Sequence, residues 1–213
     1  MTSLKQIILD LQEAISDPNN KLTKYTVVEK TAELDGLGYK YDFDKFPVLL
    51  DANQYADTSG DTPATLAEAL LWKLGKWKSY KNFVSQYIDN DAEPSQKGVV
   101  FFAFAKHLQD SQNPIYDQHA LRALWSICLN LDAAHKNQCK SLLFKKDGTW
   151  KPAGEGVDTV NCYNIFVDFV GRLTAVEGGL TKRDLDCLLM PLGQAIKKKT
   201  SNYNELCDLC GWG

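Results

Sequence analysis

The stretch Asn113-Pro-Ile-Tyr-Asp-Gln-His-Ala-Leu-Arg-Ala-Leu124 stands near the middle of the 213-residue chain and predicts the start of a helix. A proline and two apolar residues lead into Asp117, and the apolar positions after it recur at helical spacing. A short carboxylate just before a helix accepts hydrogen bonds from the free N–H groups of the first turn. We therefore predict that Asp117 is the N-cap of this helix.

Upstream of that stretch, Lys97 precedes Asp117 by twenty residues. Between them begins the most apolar run of the chain, Gly98-Val-Val-Phe-Phe-Ala-Phe-Ala105. Its length suits a strand, but Lys106-His-Leu108 extends it toward helix size, and a fully buried helix is favoured. A lysine, a buried helix, a turn and a capping aspartate form a layout that can bring an amine and a carboxylate together.

This layout resembles the core of the helix-hairpin-helix (HhH-GPD) DNA glycosylase superfamily, the endonuclease III and 8-oxoguanine glycosylase group. In that family a hairpin ends in a lysine, a buried helix follows, and the chain returns through Pro–apolar–apolar–Asp–x–His–apolar–x–Arg. Residues Pro114 to Arg122 match this pattern, and the Lys97–Asp117 spacing is close to the family's. The match covers about thirty residues and is a local one.

The hairpin ahead of Lys97 departs from the family. There the family reads Leu-Pro-Gly-x-Gly, whose glycines let backbone amides approach a DNA phosphate closely. This chain has Asp91-Ala-Glu-Pro-Ser-Gln96, with one proline, no glycine and two acids. Acids at that point would repel a phosphate backbone, so the Asp-x-His half of the pattern matches better than the DNA-binding half.

The resemblance implies roles for four side chains. Lys97 would be an amine nucleophile that attacks the sugar C1′ and forms a Schiff base, with Lys106 as a less well placed alternative amine. Asp117 would stabilise the oxocarbenium-like sugar or deprotonate the nucleophile, and His119 and Arg122 would support it. The competing interpretation is a surface lysine, and an aspartate that only caps its helix, worth about 1 kcal/mol.

Basic residues offer candidate contacts to nucleic acid. The predicted phosphate-contacting set is Lys76, Lys78, Lys81, Ser95 and Gln96. The alternative for the stretch 73–81, which we prefer, is an amphipathic helix with its aromatic residues in the core and its lysines in water. More lysines would extend a basic face only if the fold brought them together: Lys145, Lys146, Lys151, Lys197, Lys198 and Lys199.

Composition and periodicity predict an all-α fold with little or no strand. The chain is 44% apolar with five Trp, nine Tyr and nine Phe, which favours a packed globule, while its net charge of −3 lacks the basic excess typical of DNA-binding domains. Residues 1–213 form one helical domain, or two lobes, with residues 1–60 plus the C-terminal helices in one and 61–130, which carry the site, in the other. Residues 23–60 are predicted to be irregular, with a short strand or extended run at Tyr25-Thr-Val-Val28.

The helices are expected at 4–15, from about 61 to Gly75, at 76–88, 98–108, 118–130, 132–144, 160–175 and 181–198. In the second of these, Pro63 is placed in the first turn. The apolar side chains that should face inward there are Leu66, Ala69, Leu70 and Leu74.

Six cysteines in a chain too large to need disulfide staples favour a reduced, cytoplasmic setting. The first fifteen residues alternate at helical spacing without a continuous apolar run, so neither a signal peptide nor a membrane span is expected. Cys207-Asp-Leu-Cys210 has metal-knuckle spacing, and some family members carry an iron–sulfur cluster near the C-terminus. The family's four-cysteine spacing is absent, however, and we predict no metal and no cofactor.

Three functions remain open at this point. The first is a DNA N-glycosylase, with or without AP-lyase activity, that flips a damaged or modified base out of double-stranded DNA and uses Lys97 and Asp117. The second is a non-catalytic binding or regulatory module on the same fold, which recognises a protein or nucleic acid. The third is a small metalloprotein built around Cys207 and Cys210.

Overall fold

The computed structural model describes residues 2–16, 22–41, 62–63, 65–89, 91–95, 98–110, 112–128, 133–152, 160–175 and 179–212. Within these residues the protein is all-α, as predicted, and the strand-type pairing amounts to two isolated bridges, Phe144 with Trp150 and Thr149 with Asn202. The helices are α1 (Leu4–Ser16), α2 (Lys24–Gly36), α3 (Leu66–Lys73), α4 (Trp77–Ile88), α5 (Val99–Gln109), α6 (Gln118–Ile127), α7 (Ala133–Leu143), α8 (Val160–Thr174), α9 (Lys182–Lys199) and α10 (Tyr203–Cys210).

The predicted helices appear in α1 and in α4 to α9, with their ends shifted by up to three residues. The helix α10 was not predicted, and Asn202 caps it by accepting from Glu205 N at 3.1 Å. None of the described helices is long and apolar enough to cross a membrane.

The extended run predicted at Tyr25-Thr-Val-Val28 is wrong, because these residues open the helix α2. Its buried positions, Val27, Lys30 and Leu34, do follow helical spacing, but a lysine stands in the middle of the apolar stripe. Lys30 is tolerated there because its ammonium lies 2.7 Å from Asp10 Oδ2, in an ion pair with α1. The charge in the stripe hid the periodicity.

The prediction for α3 is wrong in its start and in its buried face. Pro63 lies outside the helix, which Thr65 caps by accepting from Glu68 N at 3.2 Å. Leu66 and Leu70 are 89% and 59% exposed, whereas Glu68 is buried and accepts a hydrogen bond from the hydroxyl of Tyr80 in α4 at 3.3 Å. The helix therefore turns Glu68 toward its neighbour α4 and leaves Leu66 and Leu70 in solvent.

The helices α6 and α9 form the centre of the fold. Every residue of α6 from Ala120 to Ile127 is buried. A Cβ atom on Gly193 of α9 would lie 1.9 Å from His119 O, so the two helix backbones approach as closely as glycine allows. Gln12 of α1 adds a polar link, because its side-chain nitrogen donates to Ser126 O at 2.8 Å and to Cys210 O at 3.1 Å.

The apolar run after Gly98 is the helix α5, as predicted, but only one of its faces is buried. Val99, Phe102, Ala103 and Ala105 face the core, whereas Phe101 is 47% exposed. Gly98 precedes the helix with φ of 90°, a left-handed conformation that favours glycine.

Candidate functional site

Asp117 is the N-cap of α6, as its sequence position predicts. Its backbone is extended, and Oδ1 accepts hydrogen bonds from His119 N at 2.6 Å and Ala120 N at 2.9 Å. The side chain is half-buried. The same carboxylate that satisfies the first turn of the helix therefore stands where part of it reaches solvent.

The three residues before Asp117 anchor it to the core. Tyr116 is buried, and its ring packs edge-on against Tyr163 at 5.3 Å and tilted against Phe166 at 5.2 Å between centroids. Ile115 N–H donates to both carboxylate oxygens of Asp186 in α9, at 3.2 Å each. The Pro-apolar-apolar pattern thus buries the chain immediately before the capping residue and fixes its position.

Asp186 is the second carboxyl group of the site, and the sequence prediction missed it. Its side chain is 1% exposed, and burial raises its pKa to about 8, with the charge of Asp117 adding to the rise and the Ile115 N–H opposing it. A carboxyl group in this position is largely protonated at neutral pH. An aspartate amid the leucines Leu185, Leu188 and Leu189 of α9 was the sequence signal that identifies it.

Tyr41 lies beside these carboxyl groups. Its pKa is raised to about 12, first by burial and then by the charges of Asp186, Asp117 and Cys187. Tyr41 and Cys187 also line a cavity of about 320 Å³ between α2 and α9, together with Val27, Thr31 and Tyr39. The cavity is mostly apolar and its rim is shared with the site through Tyr41.

Arg122 and His119, the predicted supporting residues, contact each other on α6. Arg122 Nη1 donates to His119 Nδ1 at 3.2 Å, and Nη2 donates to Gln118 Oε1 at 2.8 Å. The guanidinium is 2% exposed and lies 4.7 Å from the centre of the Trp150 ring. Burial lowers its pKa to about 10 while Asp117 raises it, so Arg122 stays charged at neutral pH and compensates the carboxylate.

Two of the predicted site residues, Lys97 and Gln96, lie outside the described residues. The expected meeting of the Lys97 amine with Asp117 therefore stays a prediction. The alternative amine, Lys106, belongs to the last turn of α5, where its Nζ donates to Asp89 O at 3.0 Å.

The predicted phosphate-contacting residues that are described lie on α4 and just after it. Lys76 and Lys78 are exposed, and Lys81 is half-buried. Trp77 is buried and stacks on Tyr80 at 5.5 Å, which confirms an amphipathic helix from Trp77 onward, whereas Lys73 belongs to the preceding helix α3.

Ser95 is exposed between α4 and α5, as are Asp91 and Glu93. The two acids that precede Lys97 therefore face solvent.

A second basic region emerges only in the folded chain. Lys145, Lys197, Lys198 and Lys199 line one groove of about 570 Å³, together with Trp150 and Glu205. We call it the lysine groove. Of the lysines that the sequence suggested for a basic face, Lys146 and Lys151 do not line it.

The two cysteines with metal-knuckle spacing lie on α10. Cys210 is buried, and burial raises the pKa of its thiol, whereas Cys207 is half-buried. Among the described residues, no group of three or more His, Cys, Asp or Glu side chains is arranged to hold a metal ion.

No protein-family model, curated protein or solved structure matches the chain. What can be said of its function therefore depends on its own residues and their geometry.

Proposed function

We propose that this protein is a DNA N-glycosylase, with or without AP-lyase activity, that excises a damaged or modified base from double-stranded DNA. The observation that carries the proposal is Asp117, half-buried at the mouth of α6 and reached from the helix α5 through a buried Pro-Ile-Tyr segment. The glycosylase family that this segment resembles uses a carboxylate in the same sequence position. The proposal assigns the amine to Lys97.

The chemistry asks for a fixed negative charge next to a sugar that becomes cationic as its base departs. Two backbone N–H groups hold Asp117 Oδ1, so the carboxylate is oriented before the substrate arrives. Asp186 is largely protonated at neutral pH, since its pKa is about 8, and it then adds little repulsion to that carboxylate. Two carboxyl groups in different protonation states are a common arrangement for acid–base work.

The cavity beside Tyr41 supports the proposal from the side of the base. A flipped base needs a mostly apolar pocket with aromatic side chains against which it can stack. Tyr39 and Tyr41 line the cavity, and its volume of about 320 Å³ falls at the lower end of small-ligand sites. In this proposal the base enters between α2 and α9 while its sugar lies near Asp117.

The first test separates the charge of Asp117 from its role as a cap. Asparagine caps a helix about as well as aspartate, so Asp117→Asn keeps the first-turn hydrogen bond and removes the charge. We expect its stability to fall only by what Arg122 loses with the compensating charge, and its single-turnover excision rate on duplexes with damaged bases to fall by about a hundredfold or more.

Asp117→Ala is the matched structural control, and it should also lose about 1 kcal/mol of unfolding free energy. Wild-type excision rates in the Asp117→Asn variant would show that the residue is only a cap and would overturn the catalytic assignment.

The second test is borohydride trapping on a duplex that carries an abasic site. The Lys97 amine would condense with the C1′ aldehyde, releasing water, and borohydride would reduce the resulting imine to a stable amine. We expect a covalent adduct with the wild type and with the Lys106→Ala control, and none with Lys97→Ala. An adduct that survives in Lys97→Ala would remove the lysine assignment.

A non-catalytic binding module is the second candidate, and one observation favours it. Asp91 and Glu93 are exposed where the family places its phosphate-binding glycines. Two negative charges there weaken any grip on a DNA backbone at the hairpin. This candidate predicts that the protein binds a protein or nucleic-acid partner but neither excises a base nor forms a borohydride-trapped adduct. The two tests above therefore decide between the candidates.

A further inference from the structure

We propose that the lysine groove binds the sugar–phosphate backbone of DNA, at a place separate from the hairpin between α4 and α5. This inference rests on the proposed DNA substrate and assigns the part of the protein that grips it. The lysines come from two segments, 145 and 197–199, that are about fifty residues apart in the chain. Only the fold brings them around one opening.

The turn that carries Lys145 is held by backbone hydrogen bonds. Lys145 N donates to Thr149 O at 2.8 Å, Gly148 N donates to Lys145 O at 3.0 Å, and Tyr203 N donates to Gly148 O at 2.9 Å. The last of these ties the turn to the start of α10. The turn that carries Lys145 is thus fixed to α10, and α10 directly follows the segment that carries Lys197, Lys198 and Lys199.

Trp150 joins the turn to the end of α9. Its indole nitrogen donates to Thr200 O at 2.8 Å, and its ring stacks on Phe144 with centroids 4.0 Å apart. Because Trp150 is buried, it supports the groove from below rather than offering a face for a base. The lysines are therefore mounted on a rigid base, with Lys197 Nζ 5.3 Å from the centre of the Trp150 ring and Lys198 Nζ 5.5 Å from that of the Tyr39 ring.

The charges of the groove are available to a ligand. Lys145, Lys197, Lys198 and Lys199 are exposed, and in the described part of the chain none of them forms an ion pair with a carboxylate. Glu205 is the acid on the lining, and its oxygens already accept from Ser201 N at 2.6 Å and Asn202 Nδ2 at 3.0 Å. Some of these lysines also suit the negative end of the α9 dipole, which explains them individually but not the contribution of Lys145 from another segment.

The position of the groove links it to the candidate site. The centre of the Trp150 ring lies 4.7 Å from the Arg122 guanidinium and 5.3 Å from Lys197 Nζ. Arg122 stands just over one helical turn from Asp117 on α6. Through Trp150 and Arg122 the groove is therefore connected to the helix that Asp117 caps. An array of ammonium groups on flexible stems suits phosphates as point charges and needs no base sequence.

The test compares two triple variants that remove equal charge. The groove variant is Lys145→Gln/Lys198→Gln/Lys199→Gln, which leaves Lys197 in place against Trp150. The control is Lys5→Gln/Lys24→Gln/Arg172→Gln, at exposed positions on α1, α2 and α8. Binding of a fluorescein-labelled duplex is followed by anisotropy at salt concentrations from about 50 to 200 mM.

For the groove variant we expect at least about tenfold weaker binding at the lowest salt. The slope of log affinity against log salt should become shallower by up to about 0.9 for each lysine removed. The control should stay within about threefold of the wild type, because its charges lie away from the groove. Equal losses in the two variants, or no loss in the groove variant, overturn the inference. A wild type that does not bind the duplex, or that binds only vesicles containing phosphatidylserine through these lysines, overturns it as well.

Failure of the groove and failure of the glycosylase proposal give different results. If the groove grips DNA, its variant keeps the single-turnover excision rate at saturating protein and needs a higher concentration to reach it. Asp117→Asn shows the opposite, with normal binding and a low rate. Groove-dependent binding by a wild type that excises nothing removes the glycosylase proposal and retains the groove.

Discussion

The contact between α6 and α9 and the contact between α3 and α4 both involve helices that carry leucines, α6 and α9 in the first and α3 in the second, but they use these leucines in opposite ways. In the first, Leu121 and Leu124 are 1% exposed and belong to one core cluster with Leu188 and Leu189, both at 0%. In the second, Leu66 and Leu70 of α3 face solvent, and the buried Glu68 accepts a hydrogen bond from α4. A leucine pattern therefore predicts a helix but does not determine which face of that helix is buried.

What distinguishes the α6–α9 contact is a set of features that need both partners. Gly193 removes the side chain that would collide with the α6 backbone, and Asp186 accepts the Ile115 N–H just before α6 begins. Close approach and polar anchoring together fix the register of α6 against α9. In the α3–α4 contact Glu68 is a polar anchor, while Leu66 and Leu70 lie outside the contact.

Gly193→Ala should disrupt the α6–α9 contact and strongly destabilise the protein. The added methyl group would lie 1.9 Å from His119 O, so the helices must separate. We expect a loss of about 3 kcal/mol or more in urea unfolding followed by circular dichroism.

The matched control is Gly171→Ala in α8, where an added Cβ meets nothing within 4 Å. It should stabilise the protein by about 0.5–1 kcal/mol, because alanine favours helix over glycine. Similar changes in both variants would mean that the close approach does not limit the fold.

Asp186 gives the α6–α9 contact a dependence on pH. Burial raises its pKa from 3.8 to about 8, so the native state holds a proton that the unfolded chain releases near pH 4. The stability from this group is complete below the unfolded value and is lost as pH rises toward 8. The loss amounts to at most about 1.4 kcal/mol per pH unit.

Asp186→Asn should remove this part of the pH dependence, since its amide oxygen still accepts from Ile115 and carries no charge. Thermal or urea unfolding at pH 5 and pH 8 measures the free energy of unfolding of both proteins. Subtracting the wild-type value from that of the variant removes the contribution of the other titrating groups, which the two proteins share. We expect the variant to gain on the wild type from pH 5 to pH 8. Parallel curves for the two proteins would contradict the shifted pKa.

The sequence predicted what depends on local chemistry. The N-cap at Asp117, the helix α5 and the amphipathic helix α4 follow from capping and periodicity, which are readable over a dozen residues. The helix α2 was not predicted because Lys30 interrupts its apolar stripe. The lysine is tolerated there because it forms an ion pair with Asp10 of another helix. The role of Asp186 and the lysine groove were not predicted for the same reason. Asp186 contacts Ile115, and Lys145 lies beside Lys197 to Lys199, and in both cases the residues are distant in the chain.

Leu70→Ala, at the α3–α4 contact, should change the free energy of unfolding least among these variants. Leu70 is 59% exposed, so truncation removes little buried area, and alanine is an equally good helix former. We expect a change within about 0.5 kcal/mol in the same urea assay, against a loss of about 2–5 kcal/mol for Leu124→Ala in α6. A large loss at Leu70 would mean that the face is covered in solution, and the contrast between the two contacts would then be one of partners rather than of packing.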